Sequence, residues 1–489
     1  NGIGQISAFV YENDYMIFSP LTEPCLRAIK SSENFDAVLD KDIIIPSGNF
    51  ISYSKGNLVY FGVLLDSDKE NSIKSIFIDD IDNFVDPDDE IIPDMLVIWA
   101  PQPFFLDASK INKKSGLNAK IIERIVQADV LPTEIMSGSS DIDIYITNFN
   151  SPLANGIKEK GMHVPLNESK TIMEYKEKYF DYIADSMQTP SGDVWMLPLY
   201  INAYVIWYVP ENTERFNIKP EDFSNFNSFM DLCSRMPKTG SFAAYIDSPY
   251  SFWIGCYNQY NLFFNDYSNK KVNFDTALLK NIFDKIWTGV EYKAEYGRYF
   301  HPVFRSSIDD YHGELLLESS AYDKTKLIFK CDLISEQLNI PQKIKKHYSV
   351  SPEYPTEYTL EGWRALPEPR ISPDVNKNVV NMWCAFINPY SKNKENAIKY
   401  MEAIAKHPFD FITYYTTAIY FKDKEMYANV YDITQPAFDD VYNIMSNGII
   451  NSSRFYPSNV IIDDYISGKL TLNEAIAKIQ REAEMWLNE

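Results

Sequence analysis

The sequence predicts an α/β protein with a β-rich region at its N-terminus, and three observations carry that prediction. From Met95 onward, short apolar runs alternate with helix-length segments, the mark of a mostly parallel sheet with crossover helices. Before that point the pattern is strand, polar turn, strand, written twice. At the other end, Leu470 to Glu489 reads as one amphipathic helix.

In the N-terminal region, Ser7 to Phe18 and Ile51 to Phe61 each form a hairpin pattern, with turns at Glu12-Asn-Asp14 and Lys55-Gly-Asn57. Setting Asp14 on Asn57 also sets Phe18 on Phe61, an offset of about 43 residues, and Ile29-Lys30 then answers Ile73-Lys74. A repeat of that length built from short strands suits the blade of a β-propeller. Two blades do not close a propeller, so residues 1–92 are read either as two blade-like repeats or as a plain β-rich extension. The acidic run Asp86-Pro-Asp-Asp-Glu90, with Pro93 beyond it, reads as a solvated linker.

In the α/β part, Met95-Leu-Val-Ile-Trp99 predicts a buried strand that empties into the Pro-containing loop Ala100 to Phe105. Asp107 is placed to cap a helix from Ala108 to Lys114, which stops at Gly116. A second strand follows over Ala119 to Arg124, then a helix around Thr133 to Met136 ending at Ser137-Gly138. Asp141 to Ile146 is the third strand, delivering Thr147-Asn-Phe-Asn150 at its end. In the terminal helix, Thr471 and Glu474 have the spacing of a capping box. Leu472, Ala475, Ile476, Ile479, Ala483, Trp486 and Leu487 follow as one apolar stripe.

That closing helix resembles the C-terminal signature of the extracellular solute-binding proteins of ABC importers, family 1, the maltose-binding-protein-like group. Further segments resemble the same family in order: Ser137-Gly-Ser-Ser-Asp-Ile-Asp-Ile-Tyr145, Leu153 to Asn167, and Ser191-Gly-Asp-Val-Trp-Met-Leu-Pro-Leu-Tyr200. Val205-Ile-Trp-Tyr-Val-Pro-Glu-Asn212, Gly362 to Pro369 and Trp383 to Met401 continue the series. Within Ile218 to Phe226 the family's usual Thr-Trp is replaced. The resemblance covers residues 95–489 and has no counterpart for 1–92. It implies a two-lobed type II periplasmic-binding-protein-like fold. The first α/β lobe would hold 93–201 plus 316–380, and the second 202–315 plus 381–489. It also implies export, a lipid anchor upstream of the chain, partnership with ABC permease subunits, and a monomer.

Composition narrows the ligand. The net charge of −22, from 46 basic and 68 acidic residues, repels phosphate backbones and excludes nucleic acid as a partner. The 5 cysteines are far apart and show no zinc spacing, so they read as small buried hydrophobes, and no cofactor or metal is expected. No apolar run approaches the ~20 residues of a membrane helix. Tyr (34), Phe (30) and Trp (8) are abundant, which suits surfaces that stack on polar ligands and equally suits ordinary packing.

Ligands of open α/β sheets bind at the C-terminal ends of strands, which selects particular loops. Gln102, Asn148, Asn150 and Asn202 offer donor and acceptor together to vicinal hydroxyls. Trp99, Phe104, Tyr200, Trp253, Tyr322 and Trp363 offer flat faces to sugar rings, and core packing is the competing reading for each. A neutral polyol, an oligosaccharide above all, needs this combination, whereas a phosphate would call for arginine or a helix N-terminus. No G-x-S-x-G, H-E-x-x-H or Walker A motif occurs, and the 5 histidines are scattered. Two alternatives stay open: a glycoside hydrolase using an acidic pair such as Asp141/Asp143 or Asp309/Asp310, and a surface interaction protein without ligand.

Overall fold

The computed structural model describes residues 95–101, 106–122, 130–236, 243–246, 249–267, 269–293, 298–300, 327–334, 361–411, 420–453 and 455–488, and the backbone of seven strands between 6 and 79. The chain forms two compact units, Asn1–Pro93 and Asp94–Glu489. In the first, β1 (Ile6–Glu12), β2 (Tyr15–Pro20), β3 (Cys25–Lys30) and β4 (Val38–Ile44) pair in sequence order as an antiparallel sheet. A second antiparallel sheet holds β5 (Phe50–Ser54), β6 (Leu58–Gly62) and β7 (Ile76–Asp79). The two polar turns of the sequence repeat stand between β1 and β2 and between β5 and β6, with Phe18 on β2 and Phe61 on β6. Ile73-Lys74 lies outside the described residues.

The strands of the larger unit are β8 (Leu96–Trp99), β9 (Ala119–Ile122), β10 (Ile144–Asn148), β11 (Leu197–Asn202), β12 (Tyr204–Tyr208) and β13 (Ala243–Ile246). They continue as β14 (Glu291–Lys293), β15 (Arg298–Phe300), β16 (Leu327–Leu333), β17 (Arg364–Pro367), β18 (Asn378–Ile387) and β19 (Gly448–Ile450). One sheet has the order β11-β18-β10-β8-β9, with β19 beside β18; the other has the order β13-β16-β12-β17. A separate hairpin is formed by β14 and β15.

In the first sheet, β8, β9 and β10 run parallel, and β18 lies antiparallel between β10 and β11. All four residues of β8 are buried, as a central parallel strand covered on both faces requires. The intervening helices have the ends that their sequences specify. Asp107 accepts from the Ser109 N–H at 2.9 Å, and Gly116 closes that helix, Ala108–Ser115, at φ 71°. Ser151 caps Pro152–Lys160, which carries proline at its start and ends at Gly161.

Each sheet builds a core. The first gathers Ile98, Tyr145, Ile146, Trp195 and Phe386 with the aromatic run Tyr420, Phe421, Tyr427, Phe438. The second gathers Phe229, Phe252, Trp253, Phe283, Trp287 and Ile476. The second sheet serves both: Ile206 and Cys331, opposite one another, face the second core, while Val205, Trp207 and Ala365 face the first. Across the same junction, the Arg364 guanidinium on β17 makes two bonds to Asp440, at 2.6 and 2.8 Å, on the Pro436–Ser446 helix. The terminal helix Leu472–Asn488 buries Ala475, Ile476, Ile479 and Ala483 fully, and Leu472 and Trp486 pack at its edges. Its capping box forms: the Thr471 N–H donates to Glu474 Oε2 at 2.8 Å and the Glu474 N–H to Thr471 Oγ1 at 3.4 Å.

Three sequence readings are corrected. The assignment of 316–380 to the first lobe and 381–489 wholly to the second does not hold. Strands β16 and β17 pair in the second sheet, while β18, the Lys394–Lys406 helix and β19 belong with the first. An apolar run announces a strand without saying which sheet receives it. The third strand begins at Ile144, since Asp143 uses its carboxylate to accept the Val97 N–H (2.9 Å) and the Ser391 hydroxyl (2.5 Å). Trp253, placed by the strand-end rule on a loop, lies instead in the first turns of a helix, Pro249–Phe264. Phe252, Trp253, Cys256, Tyr257 and Tyr260 recur there at helical spacing and fill the second core.

Gly448 opens β19 where a side chain has no room: a Cβ would stand 2.5 Å from the Tyr182 ring and 2.9 Å from Val380 Cγ2. The Tyr182 hydroxyl is tied to the Met445 carbonyl at 2.9 Å, so the ring has little freedom to give way. Gly448→Ala is therefore expected to cost about 1–3 kcal/mol by overpacking, measured by urea unfolding against the wild type.

Candidate functional site

The site follows from the antiparallel insertion of β18. Asn148, the last residue of β10, sits opposite Trp383, and Tyr200 of β11 sits opposite Trp383 from the other side. Partners directly opposite in an antiparallel pair project to one face. Tyr200 and Trp383 accordingly stack, with ring centroids 5.8 Å apart and planes 16° from parallel. Two residues along the same face, Asn202 and Asn381 are again opposite one another. An aromatic platform thus lies at the C-terminal ends of β10 and β11, with three amides at its border. Trp383, Asn381, Asn148 and Asn150 remain part-exposed. Burial pushes the Tyr200 phenol far up, so it acts as a neutral group.

Among the described residues, the chain passes between the two sheets at Asn202 to Tyr204, Pro367 to Asn378, and Ile450 to Asn459. The third passage adds to the site. Asn451 donates its backbone N–H to the Val380 carbonyl (2.8 Å) and its side-chain NH₂ to Asn381 Oδ1 (2.8 Å) and Tyr456 Oη (3.1 Å). Tyr456 also accepts from Asn150 Nδ2 at 2.9 Å and donates to Asn258 Oδ1 at 2.8 Å. Tyr456 is 38% exposed as a residue, while its hydroxyl is bonded to these amides and lies beside Ser453. Burial raises the phenol, and the hydrogen bonds lower it again.

The sequence-derived residues divide by this geometry. Asn148, Asn150, Tyr200 and Asn202 come together with Trp383 and Asn381. Gln102, Phe104 and Tyr322 lie outside the described residues. Three tryptophans are corrected to core residues. Trp99 is buried in β8 against Tyr145, with centroids 6.2 Å apart. Trp253 is fully buried, edge-on to Phe283 at 5.2 Å. Trp363 is buried in the first core just ahead of β17. Helical or strand periodicity at these positions is satisfied by packing, and nothing in the sequence separates that from a platform. Trp383, Asn381, Asn258, Asn451 and Tyr456 were missed. Their signal is only that polar side chains interrupt apolar runs, as Asn381 does in β18 and Asn258 in its helix. Among the described residues there is no group of acidic, His and Cys side chains placed to hold a metal ion.

Glu368 stands where the second passage leaves β17. Its Oε2 accepts from Gln259 Nε2 at 3.0 Å, and Gln259 also donates to the Pro369 carbonyl and accepts from the Ile371 N–H, each at 3.1 Å. The other carboxyl oxygen is buried without a hydrogen-bond partner among the described residues. It lies against Gly255, where a Cβ would come within 1.7 Å.

No protein-family model and no curated protein sequence matches the chain. Solved structures do resemble it. An ABC transporter solute binding protein from Thermotoga lettingae TMO, bound with alpha-D-tagatose, is 13% identical with a TM-score of 0.52, covering 80% of this chain and 99% of that one. A sugar transporter from Rhizobium etli in an open conformation is 12% identical with a TM-score of 0.49, again over 80% and 99%. The first likeness shows the fold: the chain has the two-lobed α/β architecture of that solute-binding protein.

Burial pushes the Glu368 carboxyl up to about 8 from its ordinary 4.5, with the Gln259 bond pulling it down. Its folded pKa exceeds its unfolded one, so the stability it contributes is complete below about pH 4.5 and is lost as pH rises through about 8. The full swing is on the order of 5 kcal/mol. Glu368→Gln, which keeps shape without charge, is expected to flatten this slope and to be the more stable form near pH 9, checked by urea unfolding across the range.

Proposed function

We propose that the protein is the extracellular substrate-binding component of an ABC importer, capturing a neutral carbohydrate between its two lobes. The observation that carries this reading is the Tyr200–Trp383 stack bordered by Asn148, Asn202 and Asn381. A pyranose or furanose presents an apolar C–H face to an aromatic ring and a rim of hydroxyls to amides, each amide able to donate and accept. The fold shared with an ABC transporter solute binding protein bound with alpha-D-tagatose supports the same reading.

In this reading the protein acts by binding and hinge closure without chemistry, and membrane permease subunits are its partners. The chain acts as a monomer at the cell surface, held by a lipid anchor. Asp143 is committed to holding Val97 and Ser391, which speaks against its use with Asp141 as a glycosidase pair. Asp309 and Asp310 lie outside the described residues. No helix among the described residues is long and apolar enough to cross a membrane. The N-terminal unit is read as two blade-like repeats, supported by two successive antiparallel sheets in sequence order.

The test is calorimetric titration with a panel of mono- and oligosaccharides, with recovery of the sugar afterwards. A sugar that binds and is recovered intact supports the proposal; a cleaved sugar overturns its binding-only part. Trp383→Ala is expected to weaken that sugar at least tenfold, the usual consequence of removing a central aromatic anchor. An unchanged Kd would remove Trp383 from the site.

A further inference from the structure

We propose that Tyr456 is the polar latch between the two lobes, a positioning residue that sets how far they stand apart before any ligand binds. The proposal rests on the reading of the chain as two hinged lobes. Its three hydrogen-bond partners come from three different places. Asn150 follows β10 at the edge of the first sheet. Asn258 lies on the Pro249–Phe264 helix, inside the second core's territory and only 2% exposed. Asn451 belongs to the passage that joins them and is fastened to Val380 and Asn381 of β18. A phenol oxygen can accept twice and donate once, so Tyr456 uses its whole capacity here.

The passage is anchored on both sides of this node. Toward the second core, the Phe455 carbonyl accepts from the Tyr257 hydroxyl (3.2 Å) and from Asn261 Nδ2 (3.3 Å). Toward the first sheet, Asn451 donates to the Val380 carbonyl at 2.8 Å. The segment is therefore held at its ends, and the Tyr456 hydroxyl is what its middle contributes to both lobes at once. Any rotation that separates Asn150 from Asn258 must break one of the two bonds at this oxygen. Breaking the second leaves the Asn258 carbonyl buried without its donor, which makes that bond the costlier of the two. A single hydrogen bond of this kind shifts a two-state ratio by roughly three- to tenfold. The bonds join neutral groups, so the latch is indifferent to ionic strength.

The experiment measures the distance between the lobes in the ligand-free, full chain. Spin labels at Glu168→Cys and Glu221→Cys, both exposed and on opposite lobes, report it by pulsed electron resonance. Cys233, Cys256, Cys331 and Cys384 are buried and stay unlabelled, and Cys25 is replaced by serine. Tyr456→Phe keeps the ring, which packs 5.8 Å from Tyr257, and removes only the hydroxyl. The latch predicts a longer or broader distance distribution, with the population ratio moved roughly three- to tenfold. Asn150→Ala should reproduce the change, and the double variant should add nothing to it. Tyr257→Phe cuts a bond of the same passage that does not bridge the lobes, and should leave the distribution as in the wild type. A Tyr456→Phe distribution that superimposes on the wild type overturns the proposal. So does an equal shift in Tyr257→Phe, which would make Tyr456 a local brace. None of these outcomes depends on sugar binding, so failure of the sugar panel and failure of the latch are told apart.

Discussion

Strand β18 is the constraint on which the larger unit depends. Its ten residues pair with β10 and β11 on either side and with β19 at its start. To supply it, the chain must leave the first sheet after β11, build the whole second sheet, and return. That return creates the second passage between the lobes, and the departure after β19 creates the third. The same insertion places Trp383 between Tyr200 and Asn148, so the platform exists because the hinge topology does. A sheet assembled only from 95–202 would have β10 and β11 without the strand that joins them.

The named groups of the platform and its border are neutral: asparagines, a tryptophan and phenols whose ionisation is suppressed by burial. In a chain of net charge −22 this is informative, because the long-range field already disfavours anionic ligands. On the proposed carbohydrate-binding reading, affinity comes from stacking and from amide geometry, which discriminate by the position of hydroxyls. The bidentate Arg364–Asp440 pair serves another purpose, bracing β17 against a helix of the first core. Asp440 also accepts the Ala365 N–H at 3.0 Å, so strand and helix are joined through backbone as well as side chain.

Much of this was legible in the sequence, and the reasons differ by element. The terminal helix could be read to the residue because a capping box and an apolar stripe are local signals with fixed spacing. The helix ends at Asp107 and Gly116 are equally local. The destination of β16, β17 and β18 was not legible, since strand pairing is set by contacts across more than a hundred residues. For the candidate site, the rule that strand ends carry ligands picked out Asn148, Asn150, Tyr200 and Asn202, which the fold brings near one another. The tryptophans were not resolved, because a ring facing a core and a ring facing a ligand need the same apolar neighbours. Tyr456 had no signal: its significance arises from partners that precede it by about 200 and 300 residues.

The shared core decides where the two lobes can part. Val205, Trp207 and Ala365 turn from the second sheet into the first core, and Trp207 is fully buried there. Exposing a tryptophan of 150–250 Å² would cost roughly 4–6 kcal/mol, more than a hinge equilibrium tolerates. The hydrogen bonds around Tyr456 are each worth about 0.5–1.5 kcal/mol net, because water replaces what is broken. On the proposed hinged reading, rotation pivots about the apolar junction and opens through the amide network. The costs differ severalfold, so in the proposed hinge motion the amide network yields before the apolar junction.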